Sequence, residues 1–328
     1  MAYSFYTMSY DDADRWVYMD HYERVATGGE TGYEFLYVQL MRICTNIGLS
    51  FEQFRYVTAF ITLCGLEYAS FKFSRNINIV WALYLIYSAM YDSELIRSSL
   101  AMSFIAVFLV KLLKAKLIKD YIFSGIWVVI SAQFHSSSYI YLLFIPAWYY
   151  LRKDHKRSFV IMCLGALAIL KGAGSIFTLA IGTISEQNQN YYEDGYHGNL
   201  SFNFLMYIHY ILPILIFYTS KNNISRGRFQ NISIGNNILS LNILFMLILI
   251  PHYYVSMCSR LYKILIFFNY IYLAELTEIQ KKRVVVTIFG LLYSLSLLIV
   301  RLITAPHTLF SIFDMHLSTN LILNILKF

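Results

Sequence analysis

The sequence predicts an all-α protein, a polytopic transmembrane helical bundle of about 10–11 spans. Composition is the first reason: of 328 residues, 58% are hydrophobic and 14% charged, with a mean hydropathy of +0.53, where a soluble domain carries about 25% charged residues. Aromatic side chains are the second. They make up 18% of the chain, with 29 Tyr and 25 Phe, and Tyr collects where membrane meets water. The third is the alternating charge of the loops. A net charge of +7 would suit nucleic acid in a soluble protein. In a polytopic chain it is the Lys and Arg excess that holds loops inside, so no nucleic-acid partner is expected.

Residues 1–35 are polar and aromatic and cannot span. Residues 36–50 read as a short amphipathic helix with Leu36, Leu40, Ile43 and Ile47 on one side, the spacing of an interfacial segment. Apolar segments follow at 54–71, 77–91, 95–113, 119–134, 137–151, 158–182, 202–219, 238–250, 260–276, 284–304 and 308–326. Several are shorter than the roughly 20 residues of a straight span. The chain thus divides into an external N-terminal segment, 1–53, and a transmembrane domain, 54–328, with an external loop at 183–201. No helix precedes residues 1–53 to carry them out; unaided translocation and an upstream helix are the two alternatives.

One set of connections is basic: Lys72 to Arg75, Lys111 to Lys119, Arg152 to Arg157, Lys221 to Arg228 and Lys281 to Arg283. The other is neutral or acidic: Tyr91 to Glu94, His135 to Ser138, Thr183 to Ser201, Pro251 to Ser259 and Ala305 to His307. The two sets alternate along the chain, which puts the basic set in the cytoplasm. Of the four cysteines, Cys64 and Cys163 read as small packing residues inside apolar segments. Cys44 and Cys258 share the outer side, and no disulfide is expected between them. No CxxC pair is present.

The unusual polar residues fall on the outer side. Arg97 opens the 95–113 segment, at the helix end that disfavours a cation; Glu94, one turn earlier, is expected to compensate. It either snorkels to headgroups or offers a planar guanidinium to a phosphate. His135 sits in a tight turn before Ser136-Ser137-Ser138. It is either a structural residue of the turn or, since the serines can cap the next helix themselves, an imidazole free to act as a base or hydrogen-bond donor. Arg260 is a second cation at an outer helix start, and Lys263, one turn deeper, is expected to face the interior. Tyr191 and Tyr192 lie in an amide-rich outer loop suited to sugar, or simply solvated. Asp12-Ala13-Asp14 has the DxD spacing of metal-bound nucleotide-sugar enzymes, yet an outward site has no nucleotide donor. No metal and no cofactor is called for.

Together these residues resemble the EpsG family of polysaccharide-synthesis membrane proteins, related to the Wzy-type polymerases. The resemblance rests on Asp14-Arg15-Trp16-Val17-Tyr18, Glu30-Thr31-Gly32-Tyr33, Arg97-Ser98-Ser99-Leu100-Ala101, His135-Ser136-Ser137 and Arg260-Leu261-Tyr262, in that order along most of the chain. It implies a glycosyltransferase-type polymerase of the bacterial cytoplasmic membrane with its site facing outward. The substrate it implies is an oligosaccharide repeat unit on polyprenyl pyrophosphate, and the product an extracellular, capsular or O-antigen polysaccharide. Partners would be membrane lipid, a flippase and a chain-length regulator. Fixed cations should stabilise the departing pyrophosphate, so Arg97 and Arg260 are candidate catalytic groups. His135 and Asp14 are the candidate bases, and Tyr18, Glu30, Tyr33, Tyr191 and Tyr192 the candidate substrate-binding residues. The alternative is a lipid-linked oligosaccharide flippase.

Overall fold

The structure is a computed structural model that describes residues 13–153, 240–248, 260–277 and 283–304. Segments expected at 158–182, 202–219 and 308–326, the loops at 183–201 and 251–259, and Tyr191, Tyr192, Cys163 and Cys258 lie outside the described residues. Among the described residues every regular element is helical.

Two helices precede the first long one. The polar stretch before residue 36 contains α1 (Ala13–Ala26), which apolar periodicity did not reveal. It turns into α2 (Phe35–Asn46), close to the expected amphipathic helix. Tyr37, Met41 and Cys44 are its buried face; of the expected stripe, Leu36 and Leu40 pack partly buried against the core, while Ile43 and Ile47 stay exposed. Gly48, at φ 79°, ends α2 in the left-handed region that costs a glycine nothing.

α3 (Phe51–Phe73) starts on a capping box: the Gln53 N–H donates to Ser50 Oγ (3.3 Å) and the Ser50 N–H to Gln53 Oε1 (2.8 Å). The segment expected as one span at 77–91 is two helices, α4 (Ile77–Ile86) and α5 (Ser88–Glu94), broken at Tyr87 with φ −133° and ψ −56°. A second break at Leu95 leads into α6 (Ile96–Lys114), and α7 (Ile118–Ala132) returns. The next element opens as a 3-10 helix, Ser136–Leu143, and continues as α8 (Phe144–Lys153). A short 3-10 turn, Phe245–Ile248, precedes α9 (Lys263–Leu276) and α10 (Arg283–Thr304).

Two of these helices, α6 and α10, are long and apolar enough to cross a membrane. They are used differently. α6 is the central helix, packed between α3 and α7 with most of its length buried. α10 packs one face on α9 and α4 and leaves Val284, Val285, Ile288, Leu292 and Ile299 exposed. α3 meets α6 so closely at Gly65 that a Cβ there would lie 2.6 Å from the Ser103 carbonyl oxygen, a contact only glycine permits. Cys64, beside it, is exposed rather than packed: with Gly65 turned toward α6, its neighbour points outward. Glu67 accepts the Trp81 indole N–H.

Lysines mark one end of this bundle. Lys72 closes α3 and Lys111 and Lys114 close α6; Lys114 Nζ lies 5.3 Å from the Phe73 ring, so both helix ends meet. Cations at helix C-termini sit well in the helix field. Arg97 is at the opposite end of α6, about 20 Å from Lys111 at 1.5 Å per residue. The α1–α2 pair packs at this second end, sharing an aromatic core with Phe54, Ile96, Leu100, Ala101 and Phe134.

Candidate functional site

The first N–H groups of a helix have no partner within it. In α2 those of Leu36 and Tyr37 donate to the Gln133 carbonyl at the C-terminal end of α7, at 3.0 and 3.3 Å. This docking swings the residue just before α2, Glu34, over the starts of α6 and the 3-10 helix. One Glu34 oxygen accepts from Arg97 Nη1 at 3.1 Å, and the other accepts the Ser136 N–H at 2.7 Å. His135 Nδ1 lies 3.6 Å from the same carboxylate, beyond hydrogen-bonding reach. The partner of Arg97 is therefore Glu34, not the nearby Glu94 expected from the sequence. Glu34 was missed because it lies 63 residues away, and only the docking of α2 on α7 brings it in.

Aromatic rings line one side. The Arg97 guanidinium stands 4.3 Å from the centre of the Tyr33 ring, a cation–π distance. His21 covers Tyr33 at 4.1 Å, and Tyr18 and Tyr37 follow at 5.9 and 5.6 Å. Arg97 Nε and His135 Nδ1 are both buried with no hydrogen-bond partner.

Burial would raise the Glu34 carboxyl, but the adjacent His135, the Arg97 guanidinium and the Ser136 N–H outweigh it and hold it at about 2. Burial pushes His135 below its usual value; the Glu34 carboxylate pulls it back up, and the cations of Arg97 and Arg260 push it further down. The site thus holds an ionised carboxylate beside a neutral imidazole at pH 7.

The structure brings some of the expected residues together and leaves others apart. Tyr33, Arg97 and His135 meet, with Tyr18 at their edge. Arg260, half-buried in the turn before α9, is near enough for its charge to act on His135. Asp14, in the first turn of α1, is near enough to act on the Tyr33 hydroxyl. Glu30 is exposed in the turn between α1 and α2. Among the described residues no group of three His, Cys, Asp or Glu side chains is placed to hold a metal ion.

One turn deeper lies a second charged cluster. Lys263 is buried, as expected, and forms an ion pair with Asp92. It also donates to Ser99 Oγ at 2.7 Å and stands 4.9 Å from the Tyr91 ring centre. Asp92 accepts from Tyr84 Oη at 2.8 Å, and its carbonyl accepts from Ser99 Oγ at 2.9 Å.

Fold and site define the class: a helical protein with apolar helices of membrane-spanning length and an arginine–histidine–carboxylate cluster at one end of the central one. No curated protein and no solved structure matches the chain. The family model of the EpsG family matches residues 4–313, and the chain belongs to that family, a family of Wzy-like polymerases.

Proposed function

We propose that the protein polymerises oligosaccharide repeat units carried on polyprenyl pyrophosphate, at the outer face of the bacterial cytoplasmic membrane. It is then a polytopic bundle with α1 and α2, in an external segment ending near residue 53, covering the outer ends of its helices. The observation that carries this reading is the partly buried Arg97, fixed by Glu34 and Tyr33, beside a neutral histidine. A guanidinium so fixed keeps its remaining N–H groups oriented for a phosphate oxygen. The separation of lysines and Arg97 to opposite ends of α6 supports an outward site, since basic loops stay inside.

In the reaction, an acceptor sugar hydroxyl forms a new bond to the anomeric carbon of the donor glycan. The bond from that carbon to the pyrophosphate breaks, and its electron pair leaves with the pyrophosphate. Arg97 and Arg260 receive that charge. The Glu34 carboxylate beside Nδ1 favours the tautomer with the proton on Nδ1, leaving Nε2 to take the hydroxyl proton. Asp14 is the second candidate for that proton. Tyr33 and Tyr18 back the arginine rather than presenting open ring faces; Tyr191 and Tyr192 in the outer loop offer ring faces to sugars, and Glu30 meets substrate from outside.

The test is the lipid-linked glycan pool in cells lacking the protein. Single repeat units accessible from outside are the expected result. Single units retained on the inner face would favour a flippase and sink the polymerase reading.

A further inference from the structure

We infer that the buried Asp92–Lys263 ion pair, with Ser99, is the positioning device that sets Arg97 against Arg260; this rests on the polymerase reading above. Three turns carry the site: the start of α6 with Arg97, the start of the 3-10 helix with His135, and the turn into α9 with Arg260. Each pair of turns is joined from behind by a buried polar contact. Tyr141 Oη donates to the Leu261 carbonyl at 2.6 Å, joining the 3-10 helix to the α9 turn. Ser131 Oγ lies 2.8 Å from the Ala101 carbonyl and 2.9 Å from Ser138 Oγ, joining α7, α6 and the 3-10 helix. Lys263 closes the triangle through Ser99 and Asp92, joining α9 to α6.

The spacing makes this third tie decisive. Lys263 stands one turn after Arg260, and Ser99 two residues after Arg97. Any slip between Lys263 and Ser99 is passed to both guanidinium groups. The tie also has something to hold. The backbone breaks at Tyr87 and at Leu95, where φ is −108° and ψ 58°, so α5 is a seven-residue piece without helical continuity on either side. Asp92, on that piece, is gripped by Tyr84 from α4, Ser99 from α6 and Lys263 from α9. A buried ion pair is seldom more stable than an apolar pair of the same size. Its value here is geometric, because a misplacement of about 1 Å at a reacting centre costs on the order of 100-fold in rate.

The experiment uses the full-length protein in membranes and purified lipid-linked repeat units as substrate, with polymer formed per folded molecule as the readout. Lys263→Met alone strands a buried carboxylate and is not the deciding variant. The deciding variant is Asp92→Asn with Lys263→Met, which removes both charges; Ser99→Ala and Ser99→Thr accompany it. The neutral pair is expected to insert and melt like the wild type while kcat falls about 10- to 100-fold with KM unchanged. Ser99→Ala should lose several-fold, and Ser99→Thr should recover it. A neutral pair that polymerises at the wild-type rate overturns the inference and leaves the polymerase reading intact. Wild-type protein that makes no polymer overturns both.

Discussion

Two charged clusters lie one turn apart and are built from the same parts, a cation, a carboxylate and tyrosines, yet they are finished differently. At the rim, Arg97 and Glu34 keep 18% and 17% of their side-chain surface exposed, and Arg97 Nε has no hydrogen-bond partner. Below it, Lys263 keeps 4%, and its ammonium is shared between Asp92, Ser99 and the Tyr91 ring. A group that receives a ligand has to leave donors unused until the ligand comes. A group that holds helices together gains nothing from unused donors and, when buried, is destabilised by each one. The rim is finished as a site and the deep cluster as a tie.

The largest expected effect breaks the tie. Lys263→Met should destabilise the protein by about 3–5 kcal/mol, because it leaves the Asp92 carboxylate buried and uncompensated. Membrane abundance and the thermal midpoint read this directly; wild-type values for both would remove the distinction between the clusters. His135→Gln comes next, acting only at the rim. It should reduce turnover by about 1000-fold if the imidazole takes the hydroxyl proton, with lipid-substrate binding and abundance retained. Unchanged turnover would move that role to Asp14.

Arg97→Lys should cost about 100-fold in polymer formation at matched abundance, since an ammonium cannot reproduce the planar fork of a guanidinium. Long polymer from the Lys variant would reduce Arg97 to a headgroup anchor. The smallest effect is on pH. The His135 pKa in the folded protein lies below its ordinary 6.5, so on acidification the unfolded chain takes up this proton first. Stability is therefore full above about pH 6.5 and is lost as pH falls through the folded value. Glu34, held at about 2 against an ordinary 4.5, adds a loss only in stronger acid. Melting midpoints between pH 7 and pH 5 should fall with pH in the wild type and fall less in His135→Gln. Equal slopes would place the titration elsewhere.

Family membership and the helical class were legible in the amino-acid sequence alone, and the physical reason is local. A run of apolar side chains and lysines at the end of a hydrophobic stretch each act within one or two helical turns. Hence the expected 95–113 and 119–134 segments match α6 and α7 to within two residues. The break at Tyr87 carried no proline or glycine to announce it, and α1 is a helix held by packing its aromatic face on α2 and α3 rather than by an apolar stripe of its own. Glu34 shows the limit most clearly. Nothing near it in sequence marks it as the partner of Arg97. That role exists because two N–H groups of α2 needed an acceptor and found it in the Gln133 carbonyl, a pairing across 97 and 96 residues (133 − 36 and 133 − 37). Local chemistry determined which residues could do the work, and long-range hydrogen bonding between helix ends decided which of them meet.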